Sequence, residues 1–389
     1  MKKLLLIFVT VFVLFGITTN AHAIDYPFSL TTTSISSGGT FQFKMSAQGT
    51  FYVDCGTGGT LSGTGVSGTT IDRTSTTNED TYTCTYSTSG TKTIRFGGLA
   101  TAYNTNTSIP ALGFSTSTRT LVSSISGNVS IMFPYLGSGA GQAPRFTYMF
   151  WECSNLREIP GTLFENYTGD FTGGAYMFAS VFRDCTGITS IPENLFDGIT
   201  GGSSDMFSTT FLGCTGLTSI PENLFSSITK TSAWMFISTF NGCSGLKKLP
   251  KNLFPNIRTT NRWLFNHMFA NCTGLRGYVP KSMFSGLIAN GSPYSDEAML
   301  GIFENTGLDT TCPAGTTQYS TGYEQYWETG HGNAVSCEPN TVNVNWYDGD
   351  TQLSVPSASQ SCVYSDALTL PTPPAAPNGY HFGGWKVKQ

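Results

Sequence analysis

Charge is scarce in this 389-residue chain: Asp, Glu, Lys and Arg make up 11% of it, under half the usual quarter. Most of the surface is therefore expected to be uncharged. The 20 basic residues do not outnumber the 24 acidic ones, so the cationic excess that grips a phosphate backbone is missing and nucleic acid is excluded as a partner. Histidine is equally thin. Of four, His22 precedes a predicted cleavage site, and His267, His331 and His381 fall in three unrelated settings. G-x-S-x-G, H-E-x-x-H and P-loop motifs are absent, which removes the common hydrolase, metalloprotease and nucleotide-binding readings. No cofactor or metal is expected, and no stretch beyond the N-terminal leader is long and apolar enough to span a bilayer.

What the chain does have is rings and turns. The 44 glycines and the Ser/Thr-rich stretches would suit disorder, but 28 Phe, 17 Tyr and 6 Trp carry more buryable area than disordered chains do. The chain is predicted to be folded and turn-rich. Lys2 and Lys3 precede an apolar run from Leu4 to Phe15, and Ala21-His22-Ala23 offers the small-x-small site of a signal peptidase, so residues 1–23 read as a signal peptide. Thr18, Thr19 and Asn20 break that run too early for a membrane anchor. Export would place the ten cysteines in an oxidising compartment.

Internal repetition organises the middle of the chain. Met177–Asp205, Met206–Trp234 and Met235–Trp263 are three consecutive 29-residue units, flanked by looser copies from Arg145, Leu264 and Ala298. The recurring positions are apolar: in the central copy they are Met206, Phe207, Phe211, Cys214, Leu217, Ile220, Leu224, Phe225 and Ile228. Phe207 and Phe211, like Leu224 and Ile228, are four apart, a spacing that predicts short helices. Leu217-Thr218-Ser219-Ile220 reads as a short strand, and Pro221 with Glu222 as the first turn of a second helix. About nine apolar residues cannot fold alone, so the units are expected to stack into one core.

The segment F-x-x-C-T/S-G-L-x-x-I-P resembles the leucine-rich repeats of BspA-like bacterial surface proteins, although those units are commonly shorter. It implies a leucine-rich-repeat solenoid over 137–308, built of short parallel strands and short helices. Upstream, residues 24–136 alternate aromatic and polar residues between turn clusters, the pattern of a small β-sandwich. Tyr52-Val53-Asp54-Cys55-Gly56-Thr57-Gly58 and Cys84-Thr85-Tyr86 with Gly90 resemble the motifs of PKD-type immunoglobulin-like domains. Cys55 and Cys84 stand where that family has Trp and His, and the resemblance implies a disulfide between them. Residues 309–340 read as a linker loop bounded by Cys312 and Cys337. Residues 341–389 read as a small β-rich module: an alternating strand with an Asp-Gly turn, then Gly379-Tyr380-His381-Phe382-Gly383-Gly384-Trp385, which resembles the end of the Listeria/Bacteroides repeat of internalin-type surface proteins. The expected fold class is thus multidomain: Ig/PKD-like sandwich, repeat solenoid, β module. Leu370-Pro371-Thr372-Pro373 is not a sortase signal.

Four groups of residues are candidates for chemistry. Cys312 and Cys337 enclose a loop with few aliphatics, which a disulfide would close with a gain of about 3.5 kcal/mol; a metal site would need further soft ligands, and only His331 is near. Cys153, Cys185, Cys214, Cys243 and Cys272 share one repeat position and form a column, read as buried thiols although neighbours could bridge. Glu193 and Glu222 also share a position, the one arrangement from which a glycosidase pair could be built. The following copies carry Lys251 and Lys281 there, however, and a helix start already accounts for Glu.

Charge within the repeats is the sharpest signal. Met177–Trp234 carries two basic and five acidic residues, whereas Met235–Ala289 carries seven basic and no acidic ones. The seven are Lys247, Lys248, Lys251, Arg258, Arg262, Arg276 and Lys281, with Trp263 at their border. Stacking is expected to gather Lys247, Lys248 and Arg276 on one face that attracts anionic partners, more weakly as salt rises. The alternative is a merely solvated face, or one answering the acidic segment from residue 290 onward. The resulting expectation is a non-enzymatic bacterial protein, secreted or surface-exposed. It would bind host or cell-surface proteins, mucins or glycans, as the family resemblances imply. A structural envelope spacer and, more remotely, a glycan-active enzyme are the alternatives.

Overall fold

The computed structural model describes residues 25–290, 296–312 and 316–318, with short stretches at 328–329, 332–339, 341–345, 347–348, 351–352 and 359–363. The leader and the Gly379–Trp385 motif lie outside the described residues. The first part of the chain forms ten strands: β1 (Phe28–Thr32), β2 (Thr40–Met45), β3 (Gln48–Asp54), β4 (Gly59–Ser62), β5 (Val66–Ser67), β6 (Thr70–Arg73), β7 (Asp80–Tyr86), β8 (Thr93–Ala102), β9 (Leu112–Phe114) and β10 (Val122–Gly127). They make two antiparallel sheets, ordered β10-β1-β8-β3-β6-β5 and β4-β7-β2-β9. Alternation decides which side chains enter the sandwich: Phe41, Phe43 and Met45 of β2 are buried while Gln42 and Lys44 face outward, as a period of two requires. Phe43 stacks on Tyr82 of β7 and meets Phe96 of β8 edge-on, at centroid distances of 5.4 and 5.2 Å. The Cys55–Cys84 disulfide joins the end of β3 to β7, and so one sheet to the other.

The repeats do not form the expected leucine-rich-repeat solenoid of parallel strands and helices. Among the described residues the one α-helix is Ser285–Asn290, outside the three regular units. The one parallel strand pair reaching those units joins β11 (Gly169–Phe171), in the looser copy from Arg145, to β12 (Ile199–Gly202) of the first regular unit. The rest of each unit is a succession of turns, and the backbone gives the reason. Tyr176, Ser180 and Asp184 have φ of 61°, 54° and 58°; Asp205, Thr209 and Gly213 have 59°, 52° and 72°; Trp234, Ser238 and Gly242 have 59°, 53° and 75°. A left-handed residue at every fourth position ends each turn before a helix can propagate. The four-residue spacing of Phe207 and Phe211 is therefore the period of a chain of turns, not of a helix.

Hydrogen bonds between successive units hold this conformation. Phe207, Thr209, Phe211 and Gly213 donate their N–H groups to the carbonyls of Met235, Ile237, Thr239 and Asn241 at 2.8–2.9 Å. The intervening Thr210, Leu212 and Cys214 donate three residues back within their own unit. Every other amide thus ties one coil to the next, which offsets the cost of about 1–2 kcal/mol for each left-handed L-residue. The segment after Pro221 is likewise turns, with Leu224, Ser226 and Ile228 each bonding three residues back. Along Leu217–Ile220 the chain meets the preceding unit through Thr218 N–H to the Thr189 carbonyl at 3.1 Å, too sparse a contact for a strand ladder.

Inside the ladder, the rings stand in columns. Phe150, Phe182, Phe211, Phe240, Phe269 and Phe303 stack at 5.4–5.8 Å. A second column runs through Phe178, Phe207, Phe236 and Phe265 and a third through Phe196, Phe225, Phe254 and Phe284. The sandwich closes the open end of these columns. Phe114 packs on Phe150 at 5.5 Å and Phe51 reaches Phe146 through Phe133, while Ala111 and Val129 donate to the carbonyls of Arg145 and Leu163. One buried core therefore runs from the sandwich through the repeats.

Near the other end, the segment read as a linker carries strands. Ser336–Pro339 pairs in parallel with Val279–Pro280 and antiparallel with Thr316–Gln318, and the Cys312–Cys337 disulfide fastens it. Backbone pairing with the repeats holds this segment, a partner that a search for local apolar patterning misses. Farther on, Thr341–Asn345 pairs antiparallel with Ser359–Val363, and Tyr347–Asp348 with Thr351–Gln352.

Candidate functional site

The outward residues of the ladder are presented in rows, because each coil repeats the backbone path of the last. One row is hydrogen-bonded throughout: Thr218 N–H to the Thr189 carbonyl, Lys247 N–H to the Thr218 carbonyl, and Arg276 N–H to the Lys247 carbonyl, at 3.1, 3.3 and 3.0 Å. Lys247 and Arg276 are thus adjacent on consecutive coils. Lys248 extends the ledge beside Lys247, and all three side chains are exposed. Among the described residues, no carboxylate lies within ion-pairing distance of any of them. The Arg276 guanidinium bends back to the carbonyls of Thr273 and Leu275, at 2.7 and 2.6 Å.

The other predicted cations lie elsewhere. Arg262 belongs to a separate row, where its carbonyl receives the Trp234 N–H. Its guanidinium pairs with Glu297 at 2.6 Å and lies 4.6 Å over the Trp263 ring, which in turn meets Trp234 edge-on at 5.8 Å. Arg258 turns to the Pro255 carbonyl at 2.9 Å, and Lys281 opens the 3-10 turn Lys281–Phe284. The N–H of Lys251 reaches the carboxylate of Glu222, which also accepts from Asn252 at 3.2 Å. Glu222 is therefore engaged in fastening the next coil, while Glu193 is exposed. This use of Glu222 weighs against the glycosidase pair without touching other forms of catalysis.

Cys153, Cys185, Cys214, Cys243 and Cys272 are unbridged and buried. Cys185, Cys214, Cys243 and Cys272 each donate their thiol to a phenylalanine carbonyl of the preceding coil, at 3.0–3.1 Å. Burial pushes these thiols up, Cys272 to about 12 and the others further, which keeps them protonated and unreactive. In the last copy Thr306 takes the cysteine position and donates to the Phe303 carbonyl at 2.9 Å. A small buried donor is what the position needs. No cluster of His, Cys, Asp and Glu suited to a metal occurs among the described residues, and no helix among them is long and apolar enough to cross a membrane.

One concave feature was not foreseen. Where the sandwich meets the first repeat, an open groove of about 390 Å³ is lined by residues of β2, β7, β9, the loop after β9 and the turn around Tyr148 and Trp151. Its parts, from Gln42 to Trp151, lie more than a hundred positions apart, so no local motif announces it. Comparison with protein families, with curated proteins and with solved structures gave no match. The two disulfides agree with an oxidising compartment.

Proposed function

We propose that this chain is an exported, surface-exposed binding protein whose ledge of Lys247, Lys248 and Arg276 engages anionic host or cell-surface macromolecules, mucins and acidic glycans foremost. The observation that carries this reading is the backbone register of Lys247 and Arg276 on neighbouring coils, without an acidic partner among the described residues. Three cations on a rigid row attract a polyanion together, at small cost in ordering because the backbone beneath them is already fixed. Two disulfides support the exported setting.

The test is attachment of the mature 24–389 chain to immobilised mucin and chondroitin sulfate at two salt concentrations. Salt-sensitive binding that a Lys247→Glu, Lys248→Glu, Arg276→Glu triple variant loses at unchanged thermal stability is the expected result. Absence of binding, or equal binding by the variant, would leave the ladder a spacer.

A further inference from the structure

The groove between the sandwich and the first repeat has a built interior that the basic ledge does not explain. Its floor is the outer face of the four-stranded sheet. Gln42 and Lys44 project from β2, and Gly113 of β9 sits opposite Lys44 in register. With no side chain at Gly113, the floor stays open between Lys44 and the loop after β9; a Cβ there would meet Pro110 at 3.0 Å. The wall is aromatic, formed by Tyr148 and Trp151 with ring centroids 5.3 Å apart.

The wall is also held in place. The Trp151 indole N–H donates to Asp184 at 3.1 Å, and the Arg119 guanidinium lies 4.4 Å over its ring. Arg119 is itself anchored by its Nε–H to the Phe114 carbonyl at 3.1 Å. Rigid side chains of this kind cost little ordering when a ligand binds.

Two features select the ligand. First, the charges at the groove are matched: Lys44 pairs with Glu79 at 2.8 Å and Arg119 with Glu152 at 3.4 Å. Neither an anion nor a cation is favoured. Second, the Gln42 amide is held only by weak contacts, to Thr83 at 3.4 Å and from Ser117 at 3.5 Å, both at the edge of hydrogen-bonding range. Its donors and acceptor can therefore be given to a ligand. A volume of about 390 Å³ falls in the range of small-molecule sites, yet this one has no deep apolar pocket for a hydrophobic anchor. A neutral molecule that offers many hydroxyls and one apolar ring face satisfies all of these demands.

We propose that this groove is a binding subsite for a neutral oligosaccharide, with Tyr148 taking a sugar face and Gln42, Lys44 and Glu79 exchanging hydrogen bonds with its hydroxyls. It stands apart from the basic ledge, and either can fail without the other. The probes are cellotriose, maltotriose, mannotriose and galactotriose, titrated into the mature chain by calorimetry and tryptophan fluorescence at low and high salt. At least one is expected to bind with Kd of about 0.1–1 mM, with no salt dependence. Gln42→Ala and Tyr148→Ala should each weaken that binding at least tenfold while thermal unfolding is unchanged. Gln42 faces outward on its strand, so its truncation keeps the test meaningful should the Tyr148 variant unfold. Failure of all four sugars at about 10 mM, or undiminished affinity in the Gln42 variant, overturns the proposal. So does binding lost instead in the ledge variant.

Discussion

Phe211 lies flat against Phe240, one repeat later, with ring centroids 5.4 Å apart and planes within 2° of parallel. The same contact recurs from Phe150 to Phe303, so each ring inside the column has a neighbour on both faces and is excluded from water. Interiors packed to this degree relax poorly when atoms are removed.

Phe211→Ala is therefore expected to cost about 3–5 kcal/mol, measured by urea unfolding. Thr218→Ala, on the exposed row of the same unit, should stay within about 0.5 kcal/mol. Similar losses from both substitutions would mean that the column does not bear the stability of the ladder.

The column cysteines supply a second prediction. Because burial raises their thiols, Cys272 to about 12, the native protein should be alkylated negligibly at the five column positions from pH 7 to pH 10. An exposed cysteine would become far more reactive as it ionised over that range. Peptide mass mapping after iodoacetamide, with and without denaturant, reads this directly. Cys214→Ala should cost about 1 kcal/mol, chiefly for the lost contact and hydrogen bond.

Arg73 is buried and serves five groups. It pairs with Asp80 and donates to the carbonyls of Ala47, Ser75 and Asn78 and to the Tyr82 hydroxyl. Arg73→Met should destabilise the sandwich by about 3 kcal/mol, since it strands the buried acceptors of Ala47 and Tyr82 and unpairs Asp80. Arg73→Lys should recover only part of this, because an ammonium cannot span the same fork. Thermal unfolding of both variants checks the order.

Asp205 gives a pH signature. Burial raises its carboxyl above the usual value, against the lowering effects of Ser204 and Tyr176. A folded pKa above the unfolded one means that the acid's contribution is fully present below the unfolded pKa and is lost as pH rises through the folded one. Asp205→Asn removes that loss and keeps a residue type that tolerates the left-handed backbone at this position, where φ is 59°. The variant should gain stability relative to the parent at pH 7, and the gain should shrink toward pH 3. A gain independent of pH would show that ionisation is not its source.

The 29-residue period and the inward set of each unit were legible in the sequence, because burial acts residue by residue and leaves its mark on composition. The Cys55–Cys84 pairing was legible only through the resemblance to PKD-type domains, and Cys312–Cys337 through the scarcity of aliphatics in the loop they bound. Helix against turn was not legible. Phe207 and Phe211 look alike at a spacing of four in either conformation, and what separates the two is the left-handed φ at Asp205 and Thr209. Neither residue's side chain announces that conformation; the hydrogen bonds of the neighbouring coils impose it. The rows were legible in part: the repeat period already placed Lys247, Lys248 and Arg276 on one face, whereas only the tertiary structure sent Arg262 to Glu297. The groove shows the limit most plainly, since Gln42 and Gly113 of one sheet meet Trp151 only through the docking of sandwich on repeat. Composition and period record what a residue avoids, namely water, whereas the identity of its neighbours is settled by how distant segments close upon one another.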